Sequence, residues 1–384
     1  MSSPCAPSAI EADVVVIGAG PAGATAALNL APFRRVLLVD RQAEPIERIG
    51  ESLPAAAGRL LADMGLLRNF LADGHVPNYG SRSVWGSRRP LERDSLRDLD
   101  GHGWRLDRRR FELQLRHTAA ARGAAPCVPA RLLELTRTAD GFALRLDHDG
   151  QQRAVVARRI IDASGRNAIA VRQLGARRFK CDRLICGWLR GTRRGSAKTS
   201  AGLIYTEAEP QGWWYSAALP DGDRVLAFHT DSDSLAVRSL RSSRELLARA
   251  AQLPALSEAI EDARFEPTAR LAVCAAHSAN LAPAVGPGWL AAGDAALSFD
   301  PLSSQGLFNA LFTGLAAAEA TERSLSGDAT ASEEYTASLL AIDIANRRGL
   351  SEWYGLEQRF PESQFWRRRQ PPSDRAAHAW GKSW

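Results

Sequence analysis

The segment Asp13-Val14-Val15-Val16-Ile17-Gly18-Ala19-Gly20-Pro21-Ala22-Gly23 decides the fold of this 384-residue chain. Its apolar first half predicts a buried parallel strand, its glycines predict a tight turn, and the alanine-rich residues up to about Leu30 predict a helix. A second apolar strand, Val36 to Val39, ends in Asp40. Strand, glycine turn, helix and terminal acid together indicate a dinucleotide-binding βαβ unit.

Each part of this unit has a predicted role. The glycines Gly18, Gly20 and Gly23 allow a tight turn and the close approach of a pyrophosphate to the start of the helix. Asp40 is placed to reach a ribose. The predicted contacts also include three residues adjacent to these: Pro21, Ala22 and Arg41.

A second ligand segment follows a region of period-two hydrophobicity. Residues 132–138, 142–148 and 153–156 alternate and are separated by glycine turns, which predicts a three-stranded antiparallel meander. The next apolar stretch ends in Asp162-Ala-Ser-Gly165. Open α/β sheets bind ligands at the carboxyl ends of their strands, so Asp162 and Gly165 are predicted cofactor contacts.

The third ligand segment runs from Gly293 to Leu307. An apolar strand, residues 289–292, leads into Gly-Asp, a proline interrupts the chain, and a helical pattern begins near Ser304. The unpaired N–H groups and positive dipole end of such a helix suit an electron-rich, partly anionic ring. The predicted contacts are Gly293, Asp294, Pro301, Ser304, Gly306 and Leu307.

Two further segments precede amphipathic helices. Residues 48–54 lead into a predicted helix at about 55–64, which Ser52 could cap, and Asp107 is the predicted N-cap of another helix. The arginines of that second helix either meet phosphate or form a solvated charge run. The cofactor contacts predicted here are Arg48, Gly50, Ser52 and Arg108.

Four units follow from this pattern. Residues 1–174 and 286–330 are expected to form the two parts of a cofactor-binding domain, 175–285 an inserted, mainly antiparallel substrate domain, and 331–384 a C-terminal helix and tail. The insertion is rich in aromatic residues. They either line an apolar pocket or form ordinary core. The predicted substrate contacts are Trp213, Trp214, Tyr215 and Phe228.

Three side chains are candidates for proton transfer: Glu51, Asp300 and His229. Burial and a nearby helix N-terminus should push the pKa of Asp300 in opposite directions, and a purely structural hydrogen-bonding carboxylate is the alternative. For His229 the alternative is a strand histidine without a catalytic role. No metal-ligand spacing and no Ser-His-Asp arrangement is visible in the sequence.

Composition limits the class of protein. A net charge of +6 comes from 46 Arg and 3 Lys that are scattered along the chain, so we expect no nucleic-acid partner. Five cysteines without a CxxC pair predict reduced thiols in a cytoplasmic protein. We expect neither a signal peptide nor a membrane span, because the longest weakly charged run is broken by glycines and a proline.

The three ligand segments, in this order, resemble the FAD-dependent aromatic hydroxylase superfamily, which has the glutathione-reductase-type fold: a Rossmann-like α/β FAD domain with an inserted sheet. The resemblance implies that FAD is the cofactor. It places the glycines of residues 18–23 at the pyrophosphate, Asp40 at the adenosine ribose, Asp294 at the ribitol and residues 301–307 beside the isoalloxazine. Only one dinucleotide fingerprint is present, so NAD(P)H docks transiently or a separate flavin reductase supplies the electrons.

Residues 48–54 and 300–304 are also similar to segments of flavin-dependent halogenases. The halogenases, however, relay hypohalous acid through a lysine about thirty residues after the first segment, and here no lysine occurs between Met1 and Phe179. Their Trp-x-Trp-x-Ile-Pro signature is reduced to Trp213-Trp214-Tyr215-Ser216-Ala217. Both departures count against halogenation.

A closer resemblance is to flavoprotein maturases of tryptophan-derived quinone cofactors, the proteins needed by lysine or glycine oxidases and quinohemoprotein amine dehydrogenases. It rests on residues 50–54, 83–86, 212–216, 294–306 and 357–366. It implies a monooxygenase that uses O₂ and a flavin C4a-hydroperoxide to hydroxylate a tryptophan side chain in a protein or peptide. The alternatives are a hydroxylase of a small aromatic metabolite, a halogenase, and a non-enzymatic FAD-binding partner protein.

Overall fold

The computed structural model describes residues 9–95, 101–193, 203–262 and 264–370. Its strands are β1 (Ile10–Ile17), β2 (Val36–Val39), β3 (Ser52–Leu53), β4 (Val76–Asn78), β5 (Gly80–Val84), β6 (Leu91–Asp94), β7 (Gly103–Arg105), β8 (Ala125–Cys127), β9 (Ala130–Arg137), β10 (Phe142–His148), β11 (Gln151–Asp162), β12 (Arg177–Lys180), β13 (Leu184–Arg193), β14 (Ile204–Glu209), β15 (Gly212–Ala218), β16 (Arg224–Asp231), β17 (Phe265–Pro267), β18 (Ala272–Ala275), β19 (Ala279–Ala282), β20 (Val285–Gly286), β21 (Trp289–Ala291) and β22 (Leu297–Ser298). Its helices are α1 (Pro21–Leu30), α2 (Ala57–Asp63), α3 (Leu67–Ala72), α4 (Arg108–Ala121), α5 (Ser243–Ala250), α6 (Pro254–Asp262), α7 (Gly306–Leu325), α8 (Ala331–Gly355) and α9 (Gln364–Arg367).

The first sheet confirms the predicted α/β fold class. Its order is β20-β21-β11-β1-β2-β8, and the pairs from β21 to β8 are all parallel. The apolar run Val14 to Ile17 is buried almost completely, as expected for a strand covered on both sides. Helices α1 and α7 pack on one another, and α4 also packs on α1. The strand ends that precede the three ligand segments therefore lie at one edge of this sheet.

The predicted meander is present but is built into the same sheet. Strand β10 pairs antiparallel with β9 on one side and with β11 on the other. The two strands expected at residues 153–156 and 158–162 form the single strand β11, which also pairs in parallel with β1. A continuous strand was not evident because its arginines interrupt the apolar pattern where it leaves the meander.

The second large sheet has the order β17-β13-β16-β15-β14-β5-β6, with β18 beside β13. It is mainly antiparallel, but β14 pairs in parallel with β5. Strands β5 and β6 come from residues 80–94, so the sheet extends beyond the predicted unit 175–285. Helices α5 and α6 cover one side of this sheet.

Two helix starts test the capping predictions. The Asp107 side chain accepts a hydrogen bond from Arg110 N, so its predicted role as the N-cap of α4 is confirmed. The prediction for Ser52 is wrong, because Ser52 lies in β3 and α2 begins after Ala56 without a side-chain cap. Ser52 pairs with Arg105 of β7, so the segment is held by a small sheet.

The C-terminal segment packs on the second sheet. Phe365 and Trp366 are buried, and Arg369 pairs with Asp231 at the end of β16. The part of the predicted tail after Gln370 lies outside the described residues. None of the helices in the described ranges is long and apolar enough to cross a membrane.

Candidate active site

Close packing of backbone brings the glycine turn against the end of β11. A Cβ on Gly18 would lie 2.3 Å from Ala163 O, and one on Gly23 would lie 1.7 Å from Gly18 O. Gly18 also has a φ of +104°, which other residues rarely adopt. These two glycines are therefore required by the fold itself, whatever the turn binds.

Three other glycines leave open space. A Cβ built on Gly20, Gly165 or Gly306 would meet no described atom within 4 Å. Gly20 precedes α1 and Gly306 begins α7, and neither helix has a side-chain cap within the described part of the chain. The free N–H groups of these two helix starts fit a ligand with a pyrophosphate and a ring that carries hydrogen-bond acceptors, as FAD does.

Asp40 is held by the glycine turn. Its Oδ2 accepts a hydrogen bond of 2.7 Å from Ala19 N, and its Oδ1 accepts one from Gln42 N. The guanidinium of Arg116 lies 3.5 Å from Oδ2 and also donates to Ala19 O. Arg116, from α4, thus fixes both the turn and the acid, although the sequence analysis did not single it out. Arg41, next to Asp40, is exposed.

Asp162 does not have the predicted role. Its side chain is fully buried, and its oxygens accept hydrogen bonds from the backbone N–H groups of Ser164, Ala170 and Val171. The carboxylate therefore holds the loop after β11 in shape and has no surface to offer a cofactor. Gly165, at φ +76°, is the open position of that loop.

The Gly293–Asp294 turn contacts both other segments. A Cβ on Gly293 would lie 2.7 Å from the Ala22 side chain, and Gly293 N donates to Thr313 Oγ1. Arg166, from the loop after β11, lies 3.3 Å from the half-exposed carboxylate of Asp294. The structure thus brings together three segments that are more than a hundred residues apart in sequence.

Residues 301–307 form the connection into α7. Pro301 begins a short 3-10 turn, and Ser304 adopts a left-handed φ of +53° before the helix starts at Gly306. Leu307 is buried and anchors the first turn of the helix. Asp300 caps the 3-10 turn by accepting from Leu302 N at 3.0 Å.

Glu51 and Arg108 hold the neighbouring segment. Arg108 Nη1 donates to Gly50 O at 2.6 Å, and its Nη2 pairs with Glu112. Glu51 is buried, and this burial raises the pKa of its carboxyl group. The predicted cofactor contacts Arg48 and Gly50 are exposed, whereas Glu51, the candidate for proton transfer between them and β3, is enclosed.

A hydrogen-bond chain links the second sheet to the 301–307 loop. Trp213 Nε1 donates to Tyr354 Oη over 3.1 Å, and Tyr354 Oη donates to Asp300 Oδ2 over 2.6 Å. All three side chains are buried. Burial raises the pKa of Asp300 to about 6, against the opposing effects of Arg369 and the Tyr354 hydrogen bond. The candidate acid Asp300 is therefore poised to change protonation near neutral pH.

His229 is stacked on Trp213 with a centroid distance of 3.7 Å and an interplanar angle of 8°. Its ring is buried, and burial lowers its pKa to about 3. A neutral, enclosed imidazole is a poor proton acceptor at pH 7. The placement corrects the prediction of a proton-transfer role and matches the alternative of a histidine packed within the sheet.

The four aromatic candidates for substrate contact divide between the two sides of the second sheet. Trp214 and Phe228 stack on one another, and they lie with α5 in a core cluster on one side. Trp213 and Tyr215 point to the other side, because successive side chains of a strand alternate. The prediction is thus wrong for Trp214 and Phe228, which are sealed in core. Tyr215 is half-buried, and its hydroxyl has no hydrogen-bond partner among the described residues.

Sequence reasoning missed three residues of this region: Arg116, Arg166 and Tyr354. Arg166 directly follows the Asp-Ala-Ser-Gly motif, so its position was the one available signal. Arg116 and Tyr354 belong to helices whose sequence pattern gives no reason to single them out. Within the described ranges, no group of three or more His, Cys, Asp or Glu side chains is arranged to hold a metal ion.

The fold and the open glycine-lined site define an FAD-dependent oxidoreductase. The chain belongs to the FAD binding domain family, which it matches over residues 11–331. It is 29% identical over 363 residues to the putative FAD-dependent oxidoreductase LodB of Marinomonas mediterranea, covering 93% of this chain and 96% of LodB.

Two solved structures show the same fold. The myxobacterial chondrochloren halogenase CndH superposes with a TM-score of 0.87 at 23% identity, covering 95% of this chain and 87% of CndH. The peptidyl tryptophan dihydroxylase QhpG, essential for tryptophylquinone cofactor biogenesis, superposes with a TM-score of 0.72 at 24% identity, covering 94% of this chain and 78% of QhpG.

Proposed function

We propose that this protein is an FAD-dependent monooxygenase that hydroxylates the indole ring of a tryptophan side chain in a protein substrate, during maturation of a quinone cofactor. The similarity to LodB over nearly the whole length of both chains supports an FAD-dependent oxidoreductase. The fold shared with QhpG, a peptidyl tryptophan dihydroxylase, supports the tryptophan substrate. The Trp213 and Tyr215 side of the large second sheet packs toward Leu302 of the 301–307 loop and is the proposed substrate side.

The observation that carries the proposal is the absence of lysine from Met1 to Phe179. Halogenation by the resembling enzymes needs a lysine in that region to relay hypohalous acid. The first lysine of this chain, Lys180, is exposed on β12. Oxygen transfer to an electron-rich carbon needs no such relay, so hydroxylation is compatible with the residues present.

The proposal assigns FAD to the open side of the three ligand segments. When bound and reduced, FAD supplies with O₂ an electrophilic oxygen for the substrate ring. The residues of the chain then have two tasks, which are to hold the ring in reach and to exclude water. The proposed FAD contacts are Gly18, Gly20, Pro21, Ala22, Gly23, Asp40, Arg41, Arg48, Gly50, Ser52, Arg108, Gly165, Gly293, Asp294, Pro301, Ser304, Gly306 and Leu307.

Asp300 is the proposed proton acceptor. A ring carbon that gains oxygen must lose its proton, and Asp300 stands at the start of the 301–307 loop with a pKa of about 6, raised by burial. Tyr354 keeps Oδ2 oriented through its hydrogen bond. Glu51 is the second candidate acid, because it is also buried and has a raised pKa.

The test is a product analysis by mass spectrometry. FAD-loaded protein, reduced by NADH with a separate flavin reductase, is exposed to O₂ with tryptophan-containing peptides and, separately, with small free aromatic compounds. Peptide products heavier by one or more oxygens, formed equally with and without halide, are expected. Oxygenation of free aromatics alone would reject the protein substrate, and oxygen consumption without any product would reject hydroxylation.

Halogenation is the second candidate, because the superposition with CndH is closer than that with QhpG, with TM-scores of 0.87 and 0.72. It requires products that contain chlorine or bromine and whose yield depends on the added halide. The same reactions, run with and without chloride and bromide, distinguish the two candidates.

A further inference from the structure

We infer that Cys186 and Cys274 are a site of reversible disulfide formation by hydrogen peroxide. The two residues lie directly opposite one another on the antiparallel strands β13 and β18. Directly opposed residues of antiparallel strands have Cα atoms about 4.5 or 5.5 Å apart, depending on the type of pair. Both values fall within the range of Cα–Cα distances that disulfides span.

The two side chains lie on the same face of the sheet as direct cross-strand neighbours, because the side chains of directly opposed residues point to the same side. Cys186 is fully buried, whereas Cys274 is partly exposed on β18. Strand β18 pairs with β13 alone among the described strands, so the cysteine pair lies at the border of the sheet. Peroxide can therefore reach Cys274 from solvent, whereas the buried Cys186 is shielded from it.

The environment makes Cys274 the attacking group. The neighbouring Cys186 thiol and the charge of Arg166 lower the pKa of the Cys274 thiol, against the effect of partial burial. Burial raises the pKa of Cys186, which stays a neutral thiol. Thiolate character and access favour oxidation of a cysteine, and a second thiol in contact captures the first product.

The chemistry balances with hydrogen peroxide as the oxidant. The Cys274 thiolate attacks one peroxide oxygen, the O–O bond breaks, and hydroxide leaves and takes up a proton to form water. The Cys186 sulfur then attacks the resulting sulfenic sulfur, and the second water leaves with the thiol proton of Cys186. Two thiols lose two electrons to one peroxide, and a dithiol reductant reverses the change.

The site is connected to the candidate active site through the sheet. Cys186 lies opposite His229 on β16, and His229 lies opposite Trp213 on β15. The cysteine pair thus continues the row of side chains that ends in the hydrogen bond from Trp213 to Tyr354. The inference does not depend on the proposed function, because peroxide can be added directly.

The experiment uses FAD-loaded, full-length protein and graded hydrogen peroxide. After free thiols are blocked under denaturing conditions, non-reducing digestion and mass spectrometry should show a cross-link between the peptides of Cys186 and Cys274, which dithiothreitol reverses. Thiol titration should show the loss of two of the five thiols. Five titratable thiols after peroxide treatment, or oxidation of Cys274 directly to sulfinic acid, would overturn the inference.

Three variants sharpen the test. In Cys186→Ser, Cys274 should remain as sulfenic acid and be labelled by dimedone, because its resolving thiol is missing. In Cys274→Ser, dimedone labelling of Cys186 should be at least about tenfold weaker than the labelling of Cys274 in Cys186→Ser, because the buried thiol is shielded. The matched control Cys181→Ser removes an exposed thiol and should leave the cross-link unchanged. A cross-link that disappears in this control would assign the oxidation to Cys181 instead.

Discussion

Tyr354 donates its hydroxyl proton to Asp300 across 54 positions of sequence, over a distance of 2.6 Å. The same hydroxyl accepts a hydrogen bond from Trp213 Nε1. One phenol group therefore joins the C-terminal helix α8, the loop before α7 and the second sheet. Because all three side chains are buried, Trp213 Nε1 and Asp300 Oδ2 each depend on this hydroxyl for a hydrogen bond.

Replacing Tyr354 by Phe should destabilise the protein. The substitution leaves a buried carboxylate oxygen and a buried indole N–H without their partner, so we expect the free energy of unfolding to fall by about 1–3 kcal/mol. Urea denaturation measures it. Tyr79→Phe is the matched control, because Tyr79 is 53% exposed, and it should change stability by less than about 0.5 kcal/mol. Equal stability of both variants would contradict the buried chain.

Asp300 should make stability depend on pH. Because its pKa is raised from 3.8 to about 6, folding favours the protonated acid. Its contribution is therefore largest below pH 3.8 and is lost as the pH rises through about 6. Asp300 thus contributes a slope to the free energy of unfolding as a function of pH, at most about 1.4 kcal/mol per pH unit, and this contribution should vanish in Asp300→Asn.

Chemical denaturation at several pH values measures this slope, and Asp63→Asn, at an exposed end of α2, controls for the loss of one charge. An unchanged slope in Asp300→Asn would show that the carboxyl titrates as in the unfolded chain. Under the proposed function, the same variant should also lose the rise in activity expected around pH 6.

Gly20→Ala should separate FAD binding from folding. Gly20 has an ordinary φ of −71°, and an added Cβ meets no protein atom, so the stability of the FAD-free protein should change by less than about 0.5 kcal/mol. The methyl group would occupy space proposed for the pyrophosphate, so FAD affinity should fall at least about tenfold.

Equilibrium titration with FAD measures the affinity. The control is Gly349→Ala, in α8, where a Cβ is also unobstructed and FAD affinity should stay unchanged. Unaltered FAD affinity in Gly20→Ala would show that the pyrophosphate does not bind at this turn. Gly18→Ala should instead impair folding, because its Cβ would overlap the backbone of Ala163.

The two sides of the second sheet should respond differently to substitution. Trp214→Phe should lower the free energy of unfolding by about 1–3 kcal/mol, through lost packing and the lost hydrogen bond to Glu209, and leave KM unchanged. Tyr215→Phe removes a buried hydroxyl that has no partner in the described structure, so stability should hold while kcat/KM changes several-fold. A changed KM in Trp214→Phe would place the substrate on the α5 side.

Much of the fold was predictable because its signals are local. The glycine turn, Asp107 as an N-cap and the alternating strands each depend on backbone conformation within a few residues, and the structure has them as expected. The position of β5 beside β14 was not predictable in this way. This pairing joins residues more than a hundred positions apart, and nothing in either segment specifies the partner.

The candidate site also has features that local sequence predicts and features that depend on distant contacts. The sequence by itself determined a dinucleotide-binding α/β protein, because the spacing of glycines, acids and helix starts follows from the geometry of a phosphate at the end of a strand. The resemblance to FAD-dependent hydroxylases then implied that the dinucleotide is FAD. Only the tertiary structure decided that Asp162 holds a loop, that Trp214 and Phe228 lie in core, and that Tyr354 meets Asp300. The burial and the hydrogen-bond partners of a side chain are set by residues that are distant in sequence and pack beside it in the fold. The role of each side chain therefore depends on tertiary contacts that its local sequence does not specify.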